Sequence, residues 1–142
     1  MPLRILIVDD SKTTRRVLGA MVGSRWTVCG EAENGRAGVK KFRELKPDLV
    51  LLDLAMPDID GIEAGRQMSA IDPSVPLILF TLLDPWGLGS AARKAGIARV
   101  VSKTEGAELL RTIEEVAQRD VIARETSPAR TRKFQRFKAA AH

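Results

Sequence analysis

The sequence has few of the residues that disulfide scaffolds, cysteine-rich metal centres and membrane spans require. Its 142 residues include one cysteine, Cys29, and no tyrosine. A single cysteine excludes an internal disulfide, and we expect Cys29, which lies in an apolar stretch, to be a buried and unreactive thiol. The apolar runs are far shorter than the ~20 residues of a membrane helix. We therefore expect a cytoplasmic protein with no membrane span.

Charge is distributed unevenly along the chain. Its 23 Lys and Arg against 18 Asp and Glu give a formal net charge of +5, yet residues 1–123 hold equal numbers of each sign. The excess lies in residues 124–142, where the apolar periodicity also ends. We therefore expect one domain over residues 1–123 and a basic tail over residues 124–142. A solvated extension is the favoured interpretation of the tail, and binding to nucleic acid or an anionic membrane is the alternative.

Short apolar runs alternate with segments of helical periodicity throughout residues 1–123. This alternation is typical of repeated βα units that form a parallel sheet covered by helices on both faces. We therefore expect an α/β protein with a doubly wound five-stranded parallel sheet. The predicted strands are Leu3–Val8, Trp26–Ala32, Leu49–Leu52, Leu77–Thr81 and Arg99–Ser102. The predicted helices are Lys12–Val22, Arg36–Leu45, Ile62–Ile71, Trp86–Ala95 and Ala107–Ala123.

Polar residues stand where four of the five predicted strands end. Asp9 and Asp10 follow the first strand, and Asp53 follows the third. Thr81 ends the fourth strand, and Lys103 follows the fifth. In an open parallel sheet, ligands bind beyond the carboxyl ends of the strands. We therefore expect these side chains to converge at one edge of the sheet.

The residue types in this set suit a metal ion and a phosphoryl group. Gathered carboxylates repel one another unless a cation accompanies them, and Mg²⁺ prefers oxygen ligands. A hydroxyl and an ammonium suit the oxygens of a phosphoryl group. An aspartate carboxylate can itself act as the nucleophile, because it needs no deprotonation at neutral pH. Asp53, directly after the run LVLL, is the candidate nucleophile.

Single residues of the set have ordinary structural explanations. Asp10 or Ser11 would cap the first predicted helix, and Lys103 alone would be read as a surface charge. Asp58 and Asp60 are predicted to be turn and cap residues and not metal ligands. It is the joint occurrence of the polar residues at corresponding strand ends that favours a functional site.

The chain resembles the receiver domains of two-component signalling over about residues 3–120. The resemblance rests on the motifs IVDDSKTTRR, LVLLDLAMPDIDG, LFT and VVSKT, in that order and spacing. It implies a flavodoxin-like fold and transfer of a phosphoryl group from a histidine kinase or phosphotransfer protein to Asp53. It also implies that Asp10 and Asp53 bind Mg²⁺ directly, that Asp9 binds it through water, and that the backbone carbonyl of Ala55 is a further ligand. Thr81 and Lys103 would contact the phosphoryl group.

The sequence departs from the family pattern near the fourth strand. Leu82 and Leu83 follow Thr81, where a small residue is usual, and we expect them to hinder access to the phosphoryl group. Ala55 offers no side chain to orient an attacking water. Together with Leu83, it leads us to expect slow self-dephosphorylation.

Two further departures lie near the fifth strand. Val100 replaces the usual Tyr or Phe, and Thr104 replaces the usual proline after Lys103. These two departures put in doubt how phosphorylation would be passed on to a partner. A binding module that signals without phosphorylation therefore remains an alternative. A haloacid-dehalogenase-like phosphatase is the weaker alternative, because it needs a second aspartate where Ala55 stands.

The resemblance is nearest to chemotaxis-type receivers. No DNA-binding or catalytic domain follows residue 123 in this sequence. We therefore expect a phosphoacceptor signalling protein and not an enzyme, acting through an unidentified downstream protein or through homodimer formation on phosphorylation.

Overall fold

Strands and helices alternate strictly along the chain. The structure is a computed structural model that describes residues 2–82 and 85–126, without the side chains of residues 85, 86 and 120–126. The strands are β1 (Arg4–Val8), β2 (Thr27–Ala32), β3 (Leu49–Leu52), β4 (Leu77–Thr81) and β5 (Arg99–Ser102). The helices are α1 (Lys12–Gly23), α2 (Gly35–Leu45), α3 (Gly61–Ile71), α4 (Pro85–Lys94) and α5 (Gly106–Thr126).

The five strands form one parallel sheet in the order β2-β1-β3-β4-β5. This order reverses direction between β1 and β3, as in other doubly wound folds of the flavodoxin type. The predicted fold class is therefore confirmed. At the reversal, the loops after β1 and β3 lead away to opposite faces of the sheet, which leaves a crevice between them for the site.

Side chains of each strand alternate between two apolar cores. Leu6 and Val8 of β1 face the core beneath α2, α3 and α4, whereas Ile5 and Ile7 face the core beneath α1 and α5. The three central strands are buried on both faces, apart from the first residue of β1. A strand buried on both faces carries a continuous apolar run, which is why these strands were visible in the sequence.

Polar side chains cap the starts of α1, α2 and α3. Ser11, Asn34 and Asp60 each accept a hydrogen bond from the backbone N–H three residues further on. Such caps satisfy one of the free N–H groups of a helix start. Ser11, and not Asp10, is thus the cap of α1, so Asp10 remains available for another role.

The structure extends α5 beyond its predicted end at Ala123. The helix continues to Thr126, through the start of the predicted tail at Arg124. Ala, Arg and Glu are good helix formers and need no apolar partner to continue a helix, and the next proline is Pro128. The division into a domain and a tail stays a prediction, since residues 127–142 lie outside the described residues.

The edge strand β2 is less buried than the central strands. Cys29 in β2 is half-buried and not fully buried, because one side of β2 has no neighbouring strand. Burial nevertheless raises the pKa of the Cys29 thiol, although the charge of Arg4 acts to lower it. The raised pKa disfavours a reactive thiolate.

Trp26, just before β2, packs partly buried against the α1 and α5 core. Within the described residues, no helix combines the length and apolar character needed to cross a membrane.

Two neighbouring residues of α1 test which face of the helix is packed. Leu18 is 3% exposed and Val17 is 52% exposed. We expect Leu18→Ala to lower the free energy of unfolding by about 2–5 kcal/mol, because it leaves a cavity. Val17→Ala should change it by less than about 0.5 kcal/mol. Urea denaturation measures both, and equal losses would contradict the packing of α1.

Candidate functional site

Four of the predicted site residues lie together at the carboxyl edge of the sheet. One carboxylate oxygen each from Asp9, Asp10 and Asp53 lies within 4.8 Å of the other two. The Nζ atom of Lys103 is 2.8 Å from Oδ2 of Asp9 and 3.0 Å from Oδ1 of Asp53. Thr81, at the end of β4, is buried beside β5. The structure therefore brings these side chains to one edge of the sheet, as the sequence led us to expect.

Backbone hydrogen bonds hold the two buried carboxylates in place. The N–H of Asp9 donates to the carbonyl of Ala32 at 3.0 Å, and the N–H of Asp53 donates to the carbonyl of Val8 at 2.9 Å. Both bonds continue the sheet ladder by one residue past the strand ends. The positions of Asp9 and Asp53 are therefore set by the register of β2, β1 and β3.

The acidic residues differ in what surrounds them. Asp9 is 1% exposed, and its oxygens accept from the Ser11 N–H and from Lys103. Asp53 is 6% exposed. Asp10 is exposed, and in the part of the chain that the structure describes its side chain makes no hydrogen bond or ion pair. The site thus has a buried, ordered half and an open half that a ligand can reach.

The electrostatics of the site show an excess of negative charge. Burial raises the pKa of Asp53 above its usual range; the hydrogen bond from Lys103 offsets this only in part, and the charge of Asp9 adds to it. Burial alone would lower the pKa of Lys103, but its hydrogen bonds to Asp9 and Asp53 outweigh burial and raise it. One ammonium thus accompanies three carboxylates. A cation would relieve the remaining repulsion.

The donor set fits Mg²⁺. The side chains of Asp9, Asp10 and Asp53 offer oxygen atoms, the ligands that Mg²⁺ prefers. Asp10 is open to solvent, and this suits Mg²⁺ because the ion usually keeps several of its waters. Ala55 lies exposed in the loop after β3. Its carbonyl as a fourth ligand stays a prediction.

The loop after β3 packs so closely that it requires glycine at its end. The N–H of Gly61 donates to the carbonyl of Leu54 at 2.8 Å. A Cβ atom added to Gly61 would stand 2.1 Å from the carbonyl oxygen of Asp53. A side chain at position 61 would therefore displace the backbone of Asp53, the candidate nucleophile.

Asp58 connects this loop to α2. Its two carboxylate oxygens accept from the N–H groups of Gly35 and Arg36, each at 2.9 Å. Desolvation acts to raise the pKa of Asp58, but the backbone hydrogen bonds that it accepts, the first from Arg36, outweigh desolvation and lower the pKa. Asp58 therefore caps the first two N–H groups of α2, beside the N-cap Asn34. No local pattern in the sequence signals a contact between residues so far apart.

Arg15 is a second residue that sequence reasoning missed. Its Nη1 donates to the backbone carbonyl of Asp9 at 2.7 Å, and its Nε lies 3.6 Å from Oε1 of Glu31. Nothing in the local sequence indicates that a basic residue one turn into α1 contacts Asp9, which lies three residues before the helix begins.

The departures from the family pattern have different surroundings. Leu82 is 73% exposed, so its side chain is directed to solvent. Leu83 lies outside the described residues. Val100 is half-buried against the core beneath α2, α3 and α4. Thr104 is exposed, and its N–H and hydroxyl contact the hydroxyl of Ser102.

Comparison with known proteins agrees with this geometry. Residues 5–115 match the family described as Response regulator receiver domain. The chain belongs to this receiver family. Chemotaxis protein CheY of Listeria monocytogenes is 39% identical over 118 residues, which cover 82% of this chain and 99% of that protein. CheY of Thermotoga maritima is 38% identical over 104 residues, which cover 72% of this chain and 87% of that protein.

Solved structures show the same receiver fold. A LuxR-family two-component response regulator from Aurantimonas sp. SI85-9A1 has a TM-score of 0.79 and 29% identity, covering 83% of this chain and 86% of that one. A chain of the CheX-CheY-BeF3-Mg²⁺ complex from Borrelia burgdorferi has a TM-score of 0.76 and 27% identity, covering 82% of this chain and 90% of that one. The protein is thus a CheY-like receiver domain of two-component systems.

The cap formed by Asp58 predicts a dependence of stability on pH. Because the folded state lowers its pKa, Asp58 contributes stability that is present above the ordinary pKa of aspartate and is lost as the pH falls through the lowered pKa. We expect Asp58→Asn to be less stable than wild type at neutral pH, and the difference to shrink at about pH 3.

Urea denaturation at both pH values measures this effect. Glu44→Gln is the control, since Glu44 is an exposed carboxylate on α2 with no hydrogen bond in the described part of the chain. A constant difference between Asp58→Asn and wild type at all pH values would show that the charge of Asp58 is not involved.

Proposed function

We propose that this receiver accepts a phosphoryl group on Asp53 from a phosphohistidine of a sensor histidine kinase or phosphotransfer protein, in a reaction that depends on Mg²⁺. The observation that carries the proposal is the placement of Asp53 beside two other carboxylates and the Lys103 ammonium, at the edge of the sheet where such folds bind ligands. The protein would then signal as a phosphorylated binding partner and not as an enzyme.

In this phosphoryl transfer, the protein needs mainly to position the reacting groups and to balance their charge. A carboxylate oxygen of Asp53 attacks the phosphorus, and an O–P bond forms as the P–N bond to the donor imidazole breaks. The imidazole nitrogen keeps the electron pair and takes up a proton. The Lys103 ammonium, 3.0 Å from Asp53, favours the ionised carboxylate that this attack needs.

Asp9, Asp10, Asp53 and the carbonyl of Ala55 would hold the metal. When bound, Mg²⁺ neutralises the gathered carboxylates and spreads the charge of the transferring phosphoryl group. Lys103 and Thr81 would contact the remaining phosphoryl oxygens. The N–H of Lys103 donates to the carbonyl of Thr81 at 2.8 Å, so the two residues are held beside each other. The Borrelia burgdorferi structure, whose complex contains Mg²⁺ and BeF3, supports a metal in this fold.

The output would be read by a protein that docks on the phosphorylated domain, or by a second copy of the chain. Val100, where an aromatic residue is usual, favours a second candidate function, a receiver that binds its partner without phosphorylation. The intact acidic set argues for the phosphoacceptor, because a binding module has no need for carboxylates that are costly to bury.

Mass spectrometry after incubation with acetyl phosphate tests the proposal. We expect a phosphoryl adduct on wild type with Mg²⁺, and none without Mg²⁺ or on Asp53→Asn, because the attacking oxygen is then missing. Glu33→Gln is the control, since it removes an exposed carboxylate from the same edge of the sheet. If wild type forms no adduct and does not bind beryllofluoride, the phosphorylation-independent module is the better account.

Ala55 predicts a long-lived phosphoryl group. Its methyl group cannot hydrogen-bond an attacking water, whereas the amide of an Ala55→Asn variant can. We expect the adduct on wild type to persist well beyond seconds and to decay faster on Ala55→Asn. Decay is followed by mass spectrometry in Mg²⁺ after acetyl phosphate is removed, with Ala20→Asn on the exposed side of α1 as the control. Loss from wild type within seconds would contradict this prediction.

A further inference from the structure

Arg15 makes contacts on both sides of its guanidinium group. It lies in the first turn of α1, and its side chain is 15% exposed. Nη1 donates to the backbone carbonyl of Asp9 at 2.7 Å, and Nε lies 3.6 Å from Oε1 of Glu31 at the end of β2. Neither contact involves a side chain of the acidic cluster. The guanidinium of Arg15 therefore contacts the site only at the backbone of Asp9.

The carbonyl that Arg15 holds belongs to the peptide between Asp9 and Asp10. A peptide unit is planar, so the direction of this carbonyl fixes the plane that leads to the Cα atom of Asp10. The N–H of Asp9 is already held by Ala32, and its carboxylate by Ser11 and Lys103. With Arg15, each polar group of Asp9 has a partner.

Asp10 has no such support of its own. Its side chain is exposed and makes no hydrogen bond or ion pair in the described part of the chain. Its position relative to Asp9 and Asp53 therefore depends on the two peptides that flank it. The N–H of the following peptide, that of Ser11, donates to Oδ1 of Asp9, and the carbonyl of the preceding peptide accepts from the guanidinium of Arg15.

We infer that Arg15 is a positioning residue of the metal site, which orients the peptide between Asp9 and Asp10 and so directs the carboxylate of Asp10 toward the cation. Glu31 orients Arg15 in turn. This inference rests on the proposed function, since it assumes that the acidic cluster binds Mg²⁺.

The sign of the effect distinguishes positioning from simple electrostatics. Arg15 is a positive charge near a cation site, so by Coulomb repulsion alone its removal would strengthen Mg²⁺ binding. A positioning residue has the opposite effect, because its loss leaves Asp10 in the wrong place. Groups that orient metal ligands typically change affinity by about 10- to 100-fold when they are replaced.

Titration calorimetry of the full chain with Mg²⁺ measures this effect without any phosphoryl donor. We expect Arg15→Met, which keeps the apolar stem, to weaken Mg²⁺ binding about tenfold. Arg15→Lys, which keeps the charge and an N–H donor group but loses the planar guanidinium, should recover part of the loss. Arg16→Met is the control: it removes the same charge one residue further on, from an exposed side chain with no partner in the described residues, and should bind as wild type or more tightly.

The variants separate failure of the inference from failure of the proposed function. Asp10→Asn should lose most of the Mg²⁺ affinity of wild type; if it binds as well as wild type, the cluster is not the metal site and both ideas fall. If Asp10→Asn loses affinity but Arg15→Met binds as tightly as wild type or better, only the inference is overturned. Urea denaturation in EDTA shows whether Arg15→Met is folded. If Arg15→Met is not folded, the Mg²⁺ affinity of Arg15→Lys tests the inference instead. An affinity of Arg15→Lys equal to that of wild type overturns the inference.

Discussion

The contact of the Lys103 ammonium with Asp9 and Asp53 is the interaction on which the site depends. Two carboxylates that are almost fully buried would each cost several kcal/mol to desolvate without a partner. Lys103 lies between them at 2.8 and 3.0 Å, and it comes from the strand at the far edge of the sheet. The site therefore exists only when β1, β3 and β5 are assembled in register. The ammonium compensates part of the charge and leaves the excess that a metal ion requires.

The rest of the site is held mostly by backbone groups. The N–H groups of Asp9 and Asp53 extend the ladder, the absence of a side chain at Gly61 leaves room for the carbonyl of Asp53, and Arg15 holds the carbonyl of Asp9. These contacts hold the backbone, while the Lys103 ammonium contacts the side chains of Asp9 and Asp53, and the side chain of Asp10 is open to solvent. The exposed carboxylate of Asp10 is thus attached to a backbone that is held on both sides.

The two halves of the domain differ in how closely they follow the receiver pattern. The acidic cluster and Lys103 are complete, whereas Val100 and Leu82 depart from the pattern on the side of β4 and β5. Val100 packs against the core, and the side chain of Leu82 is exposed. These two departures therefore lie at β4 and β5, whereas the acidic cluster follows β1 and β3.

The sequence by itself determined the βα alternation, three strands to the residue, and which residues end the strands, because apolar periodicity and polar punctuation are local signals. It also determined the family, through motifs of fixed spacing. Tertiary structure alone decided that Ser11 caps α1, that Asp58 caps α2, that Arg15 holds Asp9, and that Cys29 is half-buried at an edge. These contacts depend on which surfaces pack together after the sheet has formed, and hydrophobic pattern carries no information about the partner of a polar side chain.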